Sequence, residues 1–234
     1  MDNYWHPVEA QWRQKYRPAL EPLLTLTAQT HELFADVATH RVVTDASPSE
    51  QKTVERVLLR RLGEELRAVE LLAENGHGFQ AVTVAASLFE QSHFLTYFCD
   101  SEVRAKEFLS WDNPRFSLES VKKIVEASGA IRLWNADRVD EELKRYGLLC
   151  GFKHNNPMFV RAVLLPSDPD LYLAQLCISD ANWFILTSLG LFVTLRFQRE
   201  ECSSIIERCN AILDLTKKHY PRIPDGFVEN TLDQ

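Results

Sequence analysis

The stretch "FQAVTVAASLFEQSHFLTYF", residues 79 to 98, decides the fold of this chain. Glu90 is its single formally charged residue, so a helix formed by this segment is apolar almost all round. A helix of that kind packs at the centre of a bundle, where every side of it is covered. We therefore predict an all-α bundle in which residues 79 to 98 form the most buried helix.

Amphipathic helices are predicted on either side of this segment. Before it, Ser47, Pro48 and Glu50 make a strong helix start, with a capping box and a proline at the first helical position. That helix should end at Asn75 and Gly76, because these residue types tolerate the left-handed conformation found at helix C-termini.

The rest of the chain is predicted to be helical with one exception. Pro18 and Pro22 should separate two N-terminal helices, and Gly129 should end a helix that Ser117 begins. Residues 158 to 176 contain two prolines and have β-branched character, which favours a short extended segment between the later helices. The remaining helices are predicted over residues 8–17, 21–41, 102–110, 138–153 and 180–219, the last of them long or kinked.

No internal repeat or flexible linker divides the sequence, so residues 1–234 are interpreted as a single helical domain. Residues 1–45 should form the N-terminal helices, and residues 47–219 should form the core of the bundle. The tail, residues 222–234, should be flexible.

The composition excludes several classes of protein. The chain is 45% hydrophobic and 25% charged, as in an ordinary globular protein. A net charge of −7 argues against broad nucleic-acid binding, because such binding needs a basic surface. The charge therefore does not indicate RNA as a partner, but it does not exclude RNA binding at a small basic site. The most apolar segment, residues 181–195, is shorter than the roughly 20 residues of a membrane span. We predict a soluble, cytoplasmic protein with no membrane partner and no visible signal peptide.

The five cysteines are widely spaced and none belongs to a CxxC motif. Their number and spacing favour reduced thiols in a cytosolic protein over a disulfide framework or a zinc site. Glu90 and His93 match the Glu-x-x-His spacing of carboxylate-bridged di-metal bundles, but those sites need a second such pair, which the sequence lacks. We therefore predict no metal and no cofactor.

A polar line crosses the central segment at helical spacing, formed by Thr83, Ala86, Glu90, His93 and Tyr97. A carboxylate on a helix that is otherwise buried must be paired or hydrogen-bonded. The line is therefore either part of a functional site or an internal network that fixes the register of the helix, and the sequence leaves both interpretations open.

A second polar group follows in "YGLLCGFKHNNP", residues 146 to 157. Tyr146, Cys150 and His154 lie at i, i+4 and i+8, so they share one helix face. His154 is either a functional group or a histidine that stabilises a helix C-terminus through the helix dipole. The helices predicted over residues 79–98 and 138–153 both carry polar side chains on the face that points toward the core. Buried polar groups need hydrogen-bond partners, so we predict that Glu90 and His154 lie near each other, with Tyr146 beside them.

The motif Tyr-x-x-Leu-Cys-x-x-x-His-x-Asn-Pro, following "SLFE" on an apolar helix, resembles an uncharacterised bacterial family of the HEPN-like helical superfamily. The resemblance covers roughly residues 50 to 215. In members of the family, a Glu on one inner helix faces a His at the end of another. The resemblance implies a helical bundle in which Glu90, Tyr146 and His154 are candidate catalytic residues. The candidate ligand-binding residues are His93, Asn155 and Asn156.

Many HEPN proteins are metal-independent ribonucleases of phage-defence or toxin–antitoxin systems, and they use an Arg and a His a few residues apart. In this chain the nearest arginine, Arg145, lies nine positions before His154 and on the opposite helix face. Three functions stay open: a ribonuclease with His154 as general acid/base, a non-catalytic module that binds a ligand or partner, and a structural homodimer without a site. We favour the binding module, whose protein or small-molecule partner the sequence does not identify.

Overall fold

The computed structural model of the protein describes residues 5–44, 49–110, 121–154 and 168–221. Within those ranges the chain forms nine α-helices and no strand, which confirms the predicted all-α bundle. The helices are α1 (Trp5–Thr39), α2 (Arg41–Thr44), α3 (Glu50–Glu74), α4 (Gly78–Cys99), α5 (Glu102–Leu109), α6 (Val121–Ile131), α7 (Ala136–Lys153), α8 (Pro169–Arg196) and α9 (Arg199–His219).

Helices α4 and α8 lie together at the centre of the bundle. Helix α4 packs against α3, α6, α7 and α8, and α8 packs against α1, α3, α4 and α9. The two run parallel, since Ser188 donates to the carbonyl of Ser92 near one end and Cys177 lies against the carbonyl of Gly78 near the other. The central position predicted for residues 79 to 98 is confirmed, and α8 shares it.

Helix α8 is long and apolar enough to cross a membrane by length and composition. In its most apolar stretch, however, 78% of the residues are buried inside the bundle. This is the environment of the core helix of a soluble protein.

The two prolines near the N-terminus do not separate two helices, as we had predicted. Pro18 and Pro22 lie inside the single helix α1. Each proline removes one backbone hydrogen bond, but Leu20, Leu23 and Leu33 are fully buried on one continuous face. Burial of that face against α3, α8 and α9 outweighs the lost bonds and keeps the helix whole.

The predicted start of α3 is displaced by two residues. Ser49, rather than Ser47, is the N-cap, and its side chain accepts the backbone N–H of Lys52. Ser47 and Pro48 lie outside the described residues. The predicted end is confirmed: Asn75 caps the helix and Gly76 adopts a φ of 84°, where a side chain would be strained.

Gly129 does not end its helix, contrary to prediction. Helix α6 continues to Ile131, and the chain then turns through Leu133, which has a φ of 56°. A Cβ atom on Gly129 would lie 2.6 Å from Cγ2 of Val139 on α7. The glycine therefore allows two helices to approach closely. Ser117, the predicted start of this helix, lies outside the described residues.

The predictions for the C-terminal third need two corrections. Residues 169–176, predicted to be extended, form the first turns of α8, where Asp168 is the N-cap and Pro169 takes the first helical position. Residues 158–167 and the predicted flexible tail lie outside the described residues. The helix predicted over residues 180–219 is interrupted at Phe197, whose backbone is extended and whose ring stacks on His40 at 4.2 Å.

Candidate functional site

Tyr146 and Glu90 meet where α7 packs on α4. The Tyr146 hydroxyl donates a hydrogen bond to Oε1 of Glu90 at 2.6 Å. Both side chains are half-buried, so the pair lies at the edge of the core. The structure thus brings together two of the three candidate catalytic residues.

The direction of the Tyr146 hydroxyl is set by the aromatic core beneath it. The ring of Tyr146 stacks on Phe89, with centroids 4.8 Å apart and planes 16° from parallel. Phe89 is fully buried and meets Phe184 of α8 edge to face. Because these rings fix one another, the hydroxyl is held toward Glu90.

Two titratable side chains of α7, Tyr146 and Cys150, interact with Glu90, and both are neutral near pH 7. Burial raises the pKa of Tyr146 above its ordinary value, and the hydrogen bond to Glu90 raises it further. Burial also raises the pKa of the Cys150 thiol, although its interaction with Tyr146 acts in the opposite direction. Tyr146 is therefore a hydrogen-bond donor, and Cys150 is a thiol rather than a thiolate nucleophile.

Glu90 differs from the other sheltered carboxylates of the described chain. Ten described Asp and Glu residues are buried or half-buried, and nine of them have a lysine, arginine or histidine as an ion-pair partner. Those nine are Glu9, Glu55, Glu65, Glu70, Glu74, Glu142, Asp168, Asp180 and Glu201. Glu90 has no cationic partner within the described ranges, and its hydrogen bond comes from the neutral Tyr146.

His154 does not join this pair. It is the C-cap of α7, where its backbone N–H donates to the carbonyl of Cys150 at 3.0 Å, and its side chain is exposed. His154 lies eight residues beyond Tyr146, or about 12 Å along the helix axis. No hydrogen bond or ion pair in the described part of the chain links it to Glu90. The exposed side chain of His154 is not on a buried face of α7, and the predicted proximity of Glu90 and His154 stays a prediction.

The candidate ligand-binding residue His93 belongs to a different set of contacts. It is buried, and its Nδ1 lies 2.9 Å from Oγ of Ser128 on α6. Burial lowers the pKa of His93 well below its ordinary value, so the ring is neutral. His93 and Glu90 thus contact different helices and do not converge as metal ligands. Asn155 and Asn156 lie outside the described residues.

No group of three or more His, Cys, Asp or Glu residues that could hold a metal ion occurs among the residues that the structure describes. All five cysteines are free thiols. Two surface depressions, of about 430 and 380 Å³, are lined by residues of α1, α2 and the α8–α9 junction. Neither contains Glu90 or Tyr146, both of which are half-buried where α4 meets α7.

A second polar cluster was not predicted from the sequence. Asp180 of α8 is fully buried, and its Oδ1 accepts a hydrogen bond from the Tyr220 hydroxyl at 2.9 Å. Nε of Arg145 lies 3.3 Å from the same oxygen. In the sequence, Asp180 directly precedes the most apolar segment, residues 181–195. An aspartate next to a segment that is buried must itself pair with a cation, and this requirement was the sequence feature that could have pointed to the cluster.

Arg145 forms an ion pair with Asp180 and a second one with Glu142. Oε1 of Glu142 also accepts hydrogen bonds from Arg138 at 2.6 Å and from the Trp183 indole at 3.1 Å. Arg145 therefore fastens α7 to α8 and does not lie beside His154. The arrangement of an arginine next to a histidine, typical of HEPN ribonucleases, is not formed by these two residues.

The buried carboxyl of Asp180 predicts an unusual pH dependence of stability. Burial raises the pKa of Asp180 to about 6, although Arg145 and Tyr220 act in the opposite direction. An unfolded Asp has a pKa near 3.9, so between about pH 4 and pH 6 the native state binds a proton that the unfolded state does not. This contribution to stability is complete at low pH and is lost as the pH rises through 6.

We therefore expect the wild-type free energy of unfolding to rise by about 1–2 kcal/mol between pH 7.5 and pH 5, relative to that of Asp180→Asn. Urea denaturation of both proteins across this range measures the difference. Parallel pH profiles for the two proteins would contradict the assignment, because Asp180→Asn removes the titrating group and leaves every other ionisable side chain in place.

Comparison with known proteins gave no match: no family model, no curated protein and no solved structure resembles the chain.

Proposed function

We propose that the protein is a cytoplasmic, non-catalytic binding module of the HEPN-like type, and that it holds a small-molecule or protein partner at Glu90 and Tyr146. The observation that carries this proposal is the half-buried Glu90 carboxylate, which has no cationic partner in the described chain. A partner bound at this place would complete a set of contacts that the fold leaves incomplete.

A purely structural role accounts less well for Glu90. A carboxylate that is partly removed from water loses free energy of solvation. Among the described residues, a cation offsets this loss at nine of the ten sheltered carboxylates. Polar groups whose surroundings break the pattern of the rest of a protein occur mainly at functional sites. The exception therefore favours a site over an internal network.

Catalysis is less well supported than binding. The Tyr146 hydroxyl and the Cys150 thiol are both held neutral, and Arg145 is engaged by Asp180. His154 is exposed, about two helix turns from Tyr146, and can reach solvent. A ribonuclease in which His154 acts as general acid/base is therefore the alternative function, and it would need an arginine from outside α7.

If Glu90 serves a partner rather than the fold, Glu90→Gln should change the free energy of unfolding by less than about 0.5 kcal/mol. Glutamine retains an oxygen that accepts the Tyr146 hydroxyl. Glu70→Gln is the matched control: Glu70 is half-buried and accepts from Arg67 at 2.6 Å, so its loss should cost about 1 kcal/mol. Urea denaturation measures both. A loss of about 1–3 kcal/mol for Glu90→Gln would mark a structural pair instead.

Binding itself is tested by NMR on protein with isotopically labelled tyrosine rings. The resonance that disappears in Tyr146→Phe belongs to Tyr146. We expect saturable shifts of that resonance with at least one class of small molecule among alkyl amines, carboxylic acids, phosphate esters and neutral amides. The absence of any such shift, together with cleavage of single-stranded RNA that His154→Ala abolishes, would replace the binding module by the ribonuclease.

A further inference from the structure

The surroundings of Glu90 favour one chemical class of ligand. Its Oε1 accepts the hydrogen bond of the Tyr146 hydroxyl, a neutral donor, and no cation of the described residues pairs with the carboxylate. Lys153 acts through space on Cys150 but forms no ion pair with Glu90 in the described chain. Among the described residues, a ligand at this carboxylate would therefore meet a negative charge that no cation of the chain pairs with.

A cation is the ligand group that this geometry stabilises most. Hydrogen bonds between a cationic donor and a carboxylate are roughly twice as strong as those between neutral groups. A second anion at the same place would be repelled, and a neutral amide would leave the carboxylate without a counter-charge. The rest of the fold shows the same preference, since each of the nine other sheltered carboxylates takes a cationic partner.

The aromatic ring beside the carboxylate gives the site a fixed border. Tyr146 is held in place by its stacking on Phe89. A cation bound to Glu90 would thus lie next to a ring whose position is fixed before binding.

We propose that Glu90 and Tyr146 form a binding site for a guanidinium or ammonium group, supplied either by a small amine or by an arginine or lysine side chain of a partner polypeptide. This inference rests on the proposed binding function. Glu90 accepts hydrogen bonds from the cation, and Tyr146 orients Glu90 and borders the site.

The test uses Nα-acetyl-arginine amide and its neutral isostere, Nα-acetyl-citrulline amide, as probes of the full chain. We expect the arginine probe to shift the Tyr146 resonance saturably at millimolar concentration, and the citrulline probe to leave it unchanged. Glu90→Gln should weaken arginine binding by at least about tenfold, which corresponds to the loss of one charge-assisted hydrogen bond. Glu70→Gln, at a carboxylate that already has its cation, should leave the affinity unchanged.

Equal binding of the two probes, or arginine binding that survives Glu90→Gln, would overturn the inference. So would the binding of only carboxylic acids, phosphates or neutral amides at Tyr146, although that result would preserve the binding function. A shift by no ligand class at all would remove both proposals together.

The source of the cation is decided by a third probe, a short alanine peptide with one central arginine and blocked ends. Tighter binding of this peptide than of arginine amide supports a polypeptide partner, because neighbouring backbone then contributes contacts. Equal affinity supports a small amine. Failure of the peptide to compete with arginine amide for the Tyr146 resonance would contradict a site open to polypeptides.

Discussion

Arg196→Met should lower the free energy of unfolding by about 3–5 kcal/mol, one of the two largest effects we expect in this protein. Nε of Arg196 donates to Oε1 of Glu55 at 2.9 Å, and Nη2 donates to the carbonyl of Cys99 at 2.6 Å. Glu55 is 4% exposed, so without the guanidinium its carboxylate would be charged and buried without a partner. The same change releases the carbonyl at the C-terminus of α4.

The reason for this large effect is the place of Arg196 in the bundle. It is the last residue of α8, and its two partners belong to α3 and to the end of α4, so one side chain joins three helices. Gln51 also donates to the carbonyl of Cys99, at 2.9 Å, and should retain part of the lost contact.

Urea denaturation of Arg196→Met and of the double variant Glu55→Gln/Arg196→Met measures the effect. The double variant should recover part of the loss, because it removes the unpaired charge. Arg208→Met is the control: Arg208 pairs with the exposed Asp36 at 2.7 Å, and its removal should cost less than about 1 kcal/mol. Equal losses for Arg196→Met and Arg208→Met would show that burial of the pair has no energetic weight.

Phe89→Ala should cost a similar amount, about 3–5 kcal/mol. Phe89 is fully buried at the point where α4 meets α7 and α8, so its truncation leaves a cavity between three helices. Phe79→Ala, on the same helix but 42% exposed, is the matched control and should cost less than about 1 kcal/mol. Thermal and urea unfolding measure both variants.

The Phe89 variant also bears on the candidate site, because the Tyr146 ring would lose the surface on which it stacks. We expect the labelled Tyr146 resonance to broaden or shift in Phe89→Ala even where the protein remains folded, for instance at low temperature. An unchanged Tyr146 resonance in a destabilised but folded Phe89→Ala protein would show that the hydroxyl is positioned by something other than this stack.

The fold could be predicted largely from the distribution of charge. The near absence of charged residues from 79 to 98 predicted a central helix, because a segment without a polar face has no side to present to water. Pro18 and Pro22 predict a break in α1 that does not form, because the sequence does not show how much the packing stabilises the helix. Leu20 and Leu23 gain more from burial than the prolines cost, and only the fold shows how much is buried.

The candidate site could be predicted only in part. Helical spacing placed Glu90 and Tyr146 on lines that could face each other, and they do. Spacing could not show where the bundle ends, so His154 was assigned to the interior although it is exposed. Nor could it show which helix faces Asp180: its partners Arg145 and Tyr220 lie 35 and 40 residues away in the sequence.

The prolines inside α1 have a consequence for the way in which the bundle opens. Helical hydrogen bonds couple neighbouring turns, and the missing N–H groups of Pro18 and Pro22 weaken that coupling between the two halves of the helix. Each half has its own anchors: Glu9 to His77 in the first, and His31 to Glu70 in the second. We therefore expect residues 5–17 to unfold locally at a lower free energy than the second half of α1, while α4 and α7 keep the candidate site assembled.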